Sequence, residues 1–230
     1  MDNSLSLPQA EIDARSFINK VYGWMTAGLV MTGWVAWMIG KNESFIRYMF
    51  DNRWLFYALF IAQLVVVVRL SGWVQSMSAH TATVLFLVYS ALTGFTLSMI
   101  FMLYTASSIA STFFVTAGMF GTMSFYGYVT KRDLTKMGSL MFMALIGLIL
   151  ASVVNIFWAN PTLYWITTYA GVIIFVGLTA YDTQRIKNMS GLGLAGSEEE
   201  QKGAVLGALT LYLDFINMFI YMLRIMGRRK

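Results

Sequence analysis

The chain has no cysteine, two prolines and one histidine among its 230 residues, and only 12% of its residues are charged. Without cysteine, disulfides and thiolate metal sites are excluded. Soluble domains carry about 25% charged residues, so this chain has too little charge to cover a water-facing surface. Hydrophobic residues make up 58% of it, which predicts a protein embedded in the lipid bilayer. The net charge of +5 lies in loops and tails, so no nucleic-acid partner is expected.

Seven segments are long and apolar enough to cross a membrane, because a spanning helix needs about 20 mostly apolar residues. They are residues 21–39, 54–74, 81–104, 109–129, 139–159, 163–181 and 204–223. The pattern predicts an all-α membrane protein with a single seven-helix transmembrane domain over residues 21–223. Residues 1–20 form a polar N-terminal tail, 183–203 an exposed, mobile loop, and 224–230 a basic C-terminal tail.

The distribution of lysine and arginine does not fix the orientation of these spans. Basic residues divide almost evenly between the two sides, so the positive-inside rule gives no decision. The compact basic turn at residues 130–136 favours an N-terminus inside the cell, whereas the basic C-terminal tail favours the opposite.

Small residues mark where membrane helices approach each other closely. Ser90, Gly94 and Ser98 form one such ridge in the third span, and a second runs through Ala144, Gly147 and Ala151 in the fifth. In the seventh span, small and polar residues recur every three or four positions on one stripe. Its members are Gly203, Gly207, Thr210, Asp214, Asn217 and Tyr221. This stripe is either a packing seam or a polar face turned toward protein or water.

Three charged residues lie within or close to spans, namely Arg69, Asp182 and Asp214. A charge on a membrane helix costs several kcal/mol, roughly 2.5–3.5 on insertion scales, so it usually marks an ion or proton site. If the sixth helix continues past Tyr181 through Lys187, Asp182 and Asp214 can meet. Two close carboxyl groups in a low dielectric share a proton. When ionised, they offer oxygen ligands to a hard cation such as Ca²⁺, and Arg69 is either a counter-ion or a residue that snorkels to the headgroups.

The same regions resemble the Bax-inhibitor (transmembrane Bax inhibitor motif) family, and in particular its bacterial inner-membrane members. The resemblance covers nearly the whole chain after about residue 20. It is carried by four segments in order: residues 121–134, 151–157, Gly-Leu-Thr-Ala-Tyr-Asp-Thr-Gln at 177–184, and Leu-Tyr-Leu-Asp-Phe-Ile-Asn at 211–217.

The resemblance implies a fold in which six helices form two three-helix layers around a central seventh. It also implies a pH-sensitive Ca²⁺ leak controlled by a di-aspartyl pair, with the N-terminus in the cytoplasm. By the same resemblance, Asp182 and Asp214 are that pair and Arg69 latches it. From their chemistry the two carboxyl groups are also transient Ca²⁺ ligands. Thr210 and Asn217 join the predicted ion pathway because they lie on the same stripe of the seventh span as Asp214. No cofactor is expected, because Ca²⁺ is the transported ion.

Two other function classes compete with transport. Some bacterial relatives are associated with a membrane-bound ATP-dependent protease, so the chain could be an interaction module that uses residues 1–18 or the acidic residues Glu198, Glu199 and Glu200. An intramembrane aspartyl protease also carries aspartates on its sixth and seventh helices. This chain lacks the Gly-x-Gly-Asp setting and the Pro-Ala-Leu element of those enzymes, so no enzymatic activity is predicted. A retinal photoreceptor is excluded, because no lysine lies within the seventh span.

Overall fold

The computed structural model describes residues 7–189 and 196–230. Within these ranges the chain folds into helices joined by short connections. Their bounds are α1 (Leu7–Gly40), α2 (Glu43–Asp51), α3 (Arg53–Trp73), α4 (Ala79–Leu97), α5 (Ile100–Leu103), α6 (Ala106–Val129), α7 (Thr135–Trp158), α8 (Pro161–Met189) and α9 (Glu198–Met226). A short 3-10 turn, Val74–Ser76, follows α3.

Six helical segments of the described chain are long and apolar enough to cross a membrane. They are Trp54–Ser76, Ala79–Leu103, Ala106–Val129, Thr135–Trp158, Pro161–Met189 and Glu198–Met226, and they contain the second to seventh predicted spans. The first predicted span, residues 21–39, is helical within α1 but is not one of the six. Its several tryptophans, glycines and threonines lower its mean hydropathy. The helical, multi-span class is therefore confirmed, and the seventh crossing stays a prediction.

The helices extend further into the polar segments than the sequence predicts. Helix α1 begins at Leu7, and Phe17 and Ile18 are buried, so the predicted polar tail is partly a packed helix. Helix α8 continues to Met189 and α9 begins at Glu198, so the predicted loop 183–203 is largely helical. Of that loop, residues 190–195 lie outside the described residues. Charged and amide side chains suggested a loop here, but several of them bind backbone groups of neighbouring segments.

The chain falls into two compact units. The first comprises Met1–Tyr104, Met189–Tyr212 and Lys230, and the second comprises Thr105–Asn188 and Leu213–Arg229. Within the first unit, α1 packs chiefly on α4. A Cβ atom on Gly94 would lie 2.5 Å from the carbonyl oxygen of Thr32, so only glycine permits this approach of the two backbones.

Hydrogen bonds accompany the close approach of α1 and α4. Thr32 Oγ1 donates to the carbonyl oxygen of Ser90 at 2.9 Å and lies 2.7 Å from the hydroxyl of Tyr212. Ser90 and Ser98 are fully buried, so the predicted ridge of the third span is confirmed as an interface. The predicted ridge of the fifth span is wrong at Gly147, which is exposed and would place a Cβ atom in open space.

Candidate functional site

The two predicted aspartates meet in the second unit. Asp182 lies in α8 and Asp214 in α9, with 8% and 4% of their surfaces exposed. Their carboxyl groups are within hydrogen-bonding reach of each other. The predicted continuation of the sixth helix past Tyr181 is confirmed, and it is this extension that brings Asp182 to α9.

The pair has an unusual hydrogen-bonding arrangement. An ionised carboxylate only accepts hydrogen bonds, so two facing carboxyl groups bond to each other only when one of them carries a proton. In the described part of the chain, no donor reaches Oδ2 of Asp214. Arg185, three residues after Asp182 on α8, interacts electrostatically with Asp182. The geometry therefore provides two carboxyl groups that can hold one proton between them, with the cation Arg185 acting on Asp182.

Close helix packing fixes the position of Asp182. A Cβ atom on Gly127 of α6 would overlap the backbone carbonyl group of Ala180, and one on Gly138 of α7 would overlap the ring of Tyr181. The hydroxyls of Ser124 and Thr183 lie 2.9 Å apart and link α6 to α8 on the other side of Asp182. The residues that flank Asp182 in the sequence are thus locked against α6 and α7.

The end of α8 is tied to the connection between α6 and α7. The side chain of Gln184 accepts a hydrogen bond from the backbone N–H of Leu134 at 2.9 Å and donates one to the carbonyl of Arg132 at 2.8 Å. Lys187 Nζ donates to the carbonyl of Tyr128 at 2.7 Å. These bonds satisfy backbone groups of the connection and of the last turn of α6, and they explain why polar residues continue α8 instead of ending it.

Asp133, in the same connection, lies two residues before the first residue of α7. Its carboxylate accepts hydrogen bonds from the Thr135 hydroxyl at 2.6 Å and the Thr135 backbone N–H at 2.9 Å. These bonds hold the pKa of Asp133 below its ordinary value, so this exposed carboxylate is ionised at neutral pH. It provides a negative charge at the N-terminus of α7, where the helix dipole favours one.

The other polar residues of the α9 stripe bind their own helix. Thr210 Oγ1 donates to the carbonyl of Leu206 at 3.1 Å, and Asn217 Nδ2 donates to that of Leu213 at 2.8 Å. Of the most apolar 18-residue window of α9, 67% is buried, the largest share among the six candidate spans. Within the stripe, Gly207 and Asp214 are buried, whereas Gly203, Thr210, Asn217 and Tyr221 are half-buried.

Arg69 belongs to the first unit, whereas the two aspartates belong to the second. Its side chain is exposed, and its guanidinium is 5.8 Å from the centroid of the Trp73 ring. Its role as a latch stays a prediction. The cation recorded beside Asp182 is Arg185, which the sequence reasoning missed as a site residue. The signal that could have found it is the three-residue spacing on a continuous helix.

The metal-binding capacity of the site is limited. In the described ranges, no group of three or more His, Cys, Asp or Glu side chains is placed to hold a metal ion. Ca²⁺ takes six to eight oxygen ligands, so the two carboxyl groups supply only part of a coordination shell.

Known proteins resemble this chain along nearly its whole length. A family model described as "Inhibitor of apoptosis-promoting Bax1" matches residues 14–230. "Inner membrane protein YbhL" of Escherichia coli (strain K12) is 53% identical over 226 residues, which are 98% of this chain and 97% of that protein. An uncharacterized protein of Borreliella burgdorferi is 46% identical over 214 residues, covering 93% and 92%. One of Deinococcus radiodurans is 40% identical over 215 residues, covering 94% and 91%.

Proposed function

The chain belongs to the Bax inhibitor family, and from this premise we propose that it is a pH-sensitive cation leak of the bacterial inner membrane with Ca²⁺ as its transported ion. The observation that carries the proposal is the contact between the buried carboxyl groups of Asp182 and Asp214. Helices in lipid rarely carry carboxyl groups without a transport or proton-transfer role. The inner-membrane location is supported by the relative in Escherichia coli, whose name states that location.

The chemistry of the pair accounts for both parts of the proposal. With one shared proton, the pair carries a single negative charge and is stable among apolar neighbours. With the proton removed, two carboxylates face each other, and a divalent cation relieves their repulsion. Proton and cation thus compete for the same oxygens, which makes occupancy by Ca²⁺ dependent on pH. Arg185 adds a fixed positive charge on the Asp182 side.

The proposed orientation places the N-terminus in the cytoplasm. With seven crossings, the connection between α6 and α7 is then cytoplasmic. Asp182 lies near the cytoplasmic end of α8, because the last residues of that helix bind this connection and the end of α6. Arg69 serves as the latch in this proposal, and Thr210 and Asn217 line the polar face of α9. No cofactor and no enzymatic step are assigned to the pair.

The proposal predicts a measurable Ca²⁺ flux that depends on pH. The purified full chain, reconstituted into proteoliposomes, is expected to admit Ca²⁺ faster than protein-free vesicles, at a rate that changes between about pH 5 and pH 8. A Ca²⁺-sensitive dye inside the vesicles measures the rate. Asp51→Asn provides the control, because it removes an exposed carboxylate from the helix α2. A flux equal to that of empty vesicles at every pH would refute the proposal.

Association with a membrane protease stays a second prediction. The acidic residues proposed for it differ in how far they are engaged within the first unit. Glu198 accepts a hydrogen bond from the backbone N–H of Ala79 at 2.9 Å. Glu200 is buried and forms a salt bridge with Lys20 at 2.9 Å. Two of the three acidic residues are therefore engaged within the first unit. The N-terminal segment before the buried Phe17 is the remaining candidate.

The protease prediction is tested by removing residues 2–12, a deletion that leaves Phe17 and Lys20 in place. Co-purification with the membrane-bound protease is expected to be lost, while Ca²⁺ flux in proteoliposomes stays at the wild-type level. A Glu199→Gln variant is the matched control, because it removes one exposed negative charge of the acidic group and leaves the N-terminal segment in place. Protease that still co-purifies with the shortened chain would contradict the prediction.

A further inference from the structure

Helix α6 carries a column of buried hydroxyl groups in the second unit. Ser108, Thr112 and Thr116 follow each other at one-turn intervals, with 8%, 0% and 0% of their surfaces exposed. Helix α6 is the least apolar of the six candidate spans. The column is therefore the polar face of the least apolar span, and this face is turned away from the lipid.

Thr112 differs from the other hydroxyls of the column in its hydrogen bonding. In membrane helices, serine and threonine normally donate to a carbonyl three or four residues earlier. Thr116 does so to Thr112 at 2.8 Å, and Ser108 does so to Thr105 at 3.1 Å. The carbonyl of Ser108, four residues before Thr112, accepts instead from Ser111 at 3.2 Å. Oγ1 of Thr112 has no partner in the described ranges.

Two buried side-chain oxygens of the described residues lack a hydrogen-bond partner, Thr112 Oγ1 and Asp214 Oδ2. Both belong to the second unit. The helices that carry them, α6 and α9, run antiparallel. The ring of Phe120 is 5.5 Å from that of Phe215, and the ring of Phe113 is 6.3 Å from that of Phe219. Unpaired buried polar groups are unfavourable, and most bind water or an ion.

We propose that the Thr112 hydroxyl is a binding position for the permeating cation, which arrives partly hydrated and exchanges one of its waters for Oγ1. This inference rests on the proposed function and adds a second cation position to that of the two aspartates. A hydroxyl oxygen is a suitable ligand for a hard cation, and as a neutral group it binds weakly enough to release the ion.

The test compares two isosteric substitutions one turn apart. Thr112→Val is expected to lower the Ca²⁺ flux of proteoliposomes roughly tenfold, because the ion loses a ligand that no other described group replaces. Thr112→Ser keeps the oxygen and is expected to conduct like the wild type. Thr116→Val is the matched control, because that hydroxyl is equally buried but already bonded to its own helix. Thermal unfolding in detergent with and without CaCl₂ provides a second readout, in which added CaCl₂ raises the melting temperature of the wild type more than that of Thr112→Val.

Each outcome bears on the inference separately from the proposed function. If Thr112→Val conducts like the wild type and melts at a higher temperature, the hydroxyl is only an unpaired polar group that destabilises the fold, and the inference is wrong. Equal losses of flux in Thr112→Val and Thr116→Val would also overturn it, because the column would then act only through packing. If the wild type shows no flux, the proposed function fails. Even then, a CaCl₂-induced rise in melting temperature that is absent only from Thr112→Val would support the binding position. An equal rise in Thr112→Val and Thr116→Val would overturn it.

Discussion

Replacement of Asp214 by asparagine is expected to lower Ca²⁺ flux about tenfold or more and to flatten its dependence on pH. The amide does not gain or lose a proton between about pH 5 and pH 8. Its NH₂ group donates a hydrogen bond to Asp182 in place of the shared proton. A cation then meets one carboxylate instead of two. The rate in proteoliposomes between about pH 5 and pH 8 measures both effects, since each ligand lost from a buried charged site is worth at least about 1.4 kcal/mol, or a factor of ten.

Two further variants make the Asp214 result specific. Asp182→Asn is expected to behave in the same way, because either residue alone leaves an unpaired carboxyl group. Asp51→Asn, an identical chemical change at an exposed position, is expected to leave flux and pH profile as in the wild type. An Asp214→Asn protein whose flux still varied with pH like that of the wild type would exclude the pair as the pH-sensing group.

Gly127→Ala is expected to be the most destabilising single-methyl substitution in the second unit. The added Cβ atom would overlap the carbonyl oxygen and carbon of Ala180, which are backbone atoms and do not yield without moving α8. Overpacking of this kind costs about 1–3 kcal/mol, so the melting temperature in detergent should fall by several degrees. Because Ala180 is two residues from Asp182, the same displacement is expected to reduce Ca²⁺ flux.

Gly118 provides the comparison on the same helix. A Cβ atom there meets nothing within 4 Å, and alanine favours the helix over glycine. Gly118→Ala should therefore melt at or slightly above the wild-type temperature. Equal melting temperatures of the two alanine variants would contradict the close contact between Gly127 of α6 and Ala180 of α8.

The sequence predicts the location of the long apolar helices well, because hydrophobic runs of about 20 residues have few alternatives in a membrane. It predicts their ends less well. Residues after Tyr181 are polar enough to suggest a loop, yet Thr183 and Ile186 are buried on one face while Gln184 and Lys187 bind backbone carbonyls. Those partners lie at the end of α6 and in the connection that follows it, more than 50 residues away in the chain. Local composition contains no signal for them.

The candidate site shows the same division. Asp182 and Asp214 are identifiable from their apolar surroundings, and the structure brings them together. Arg185 was missed because it was assigned to a loop, and the unpaired hydroxyl of Thr112 was missed because it depends on a rotamer choice. A small residue also does not reveal which face of its helix is covered. Gly94 contacts Thr32, whereas Gly147 faces outward, although both lie in ridges of small residues about one helical turn apart.

The two hydrogen bonds of Gln184 have a mechanical consequence for α8. They attach the last turns of the helix to the backbone at Arg132 and Leu134, one on each side of Asp133. Rotation of α8 about its axis would move Asp182 away from Asp214. The same rotation would either displace the connection between α6 and α7 or break both hydrogen bonds of Gln184. A spin label at the exposed Lys131 should therefore report, from the aqueous phase, any turning of the buried carboxyl group.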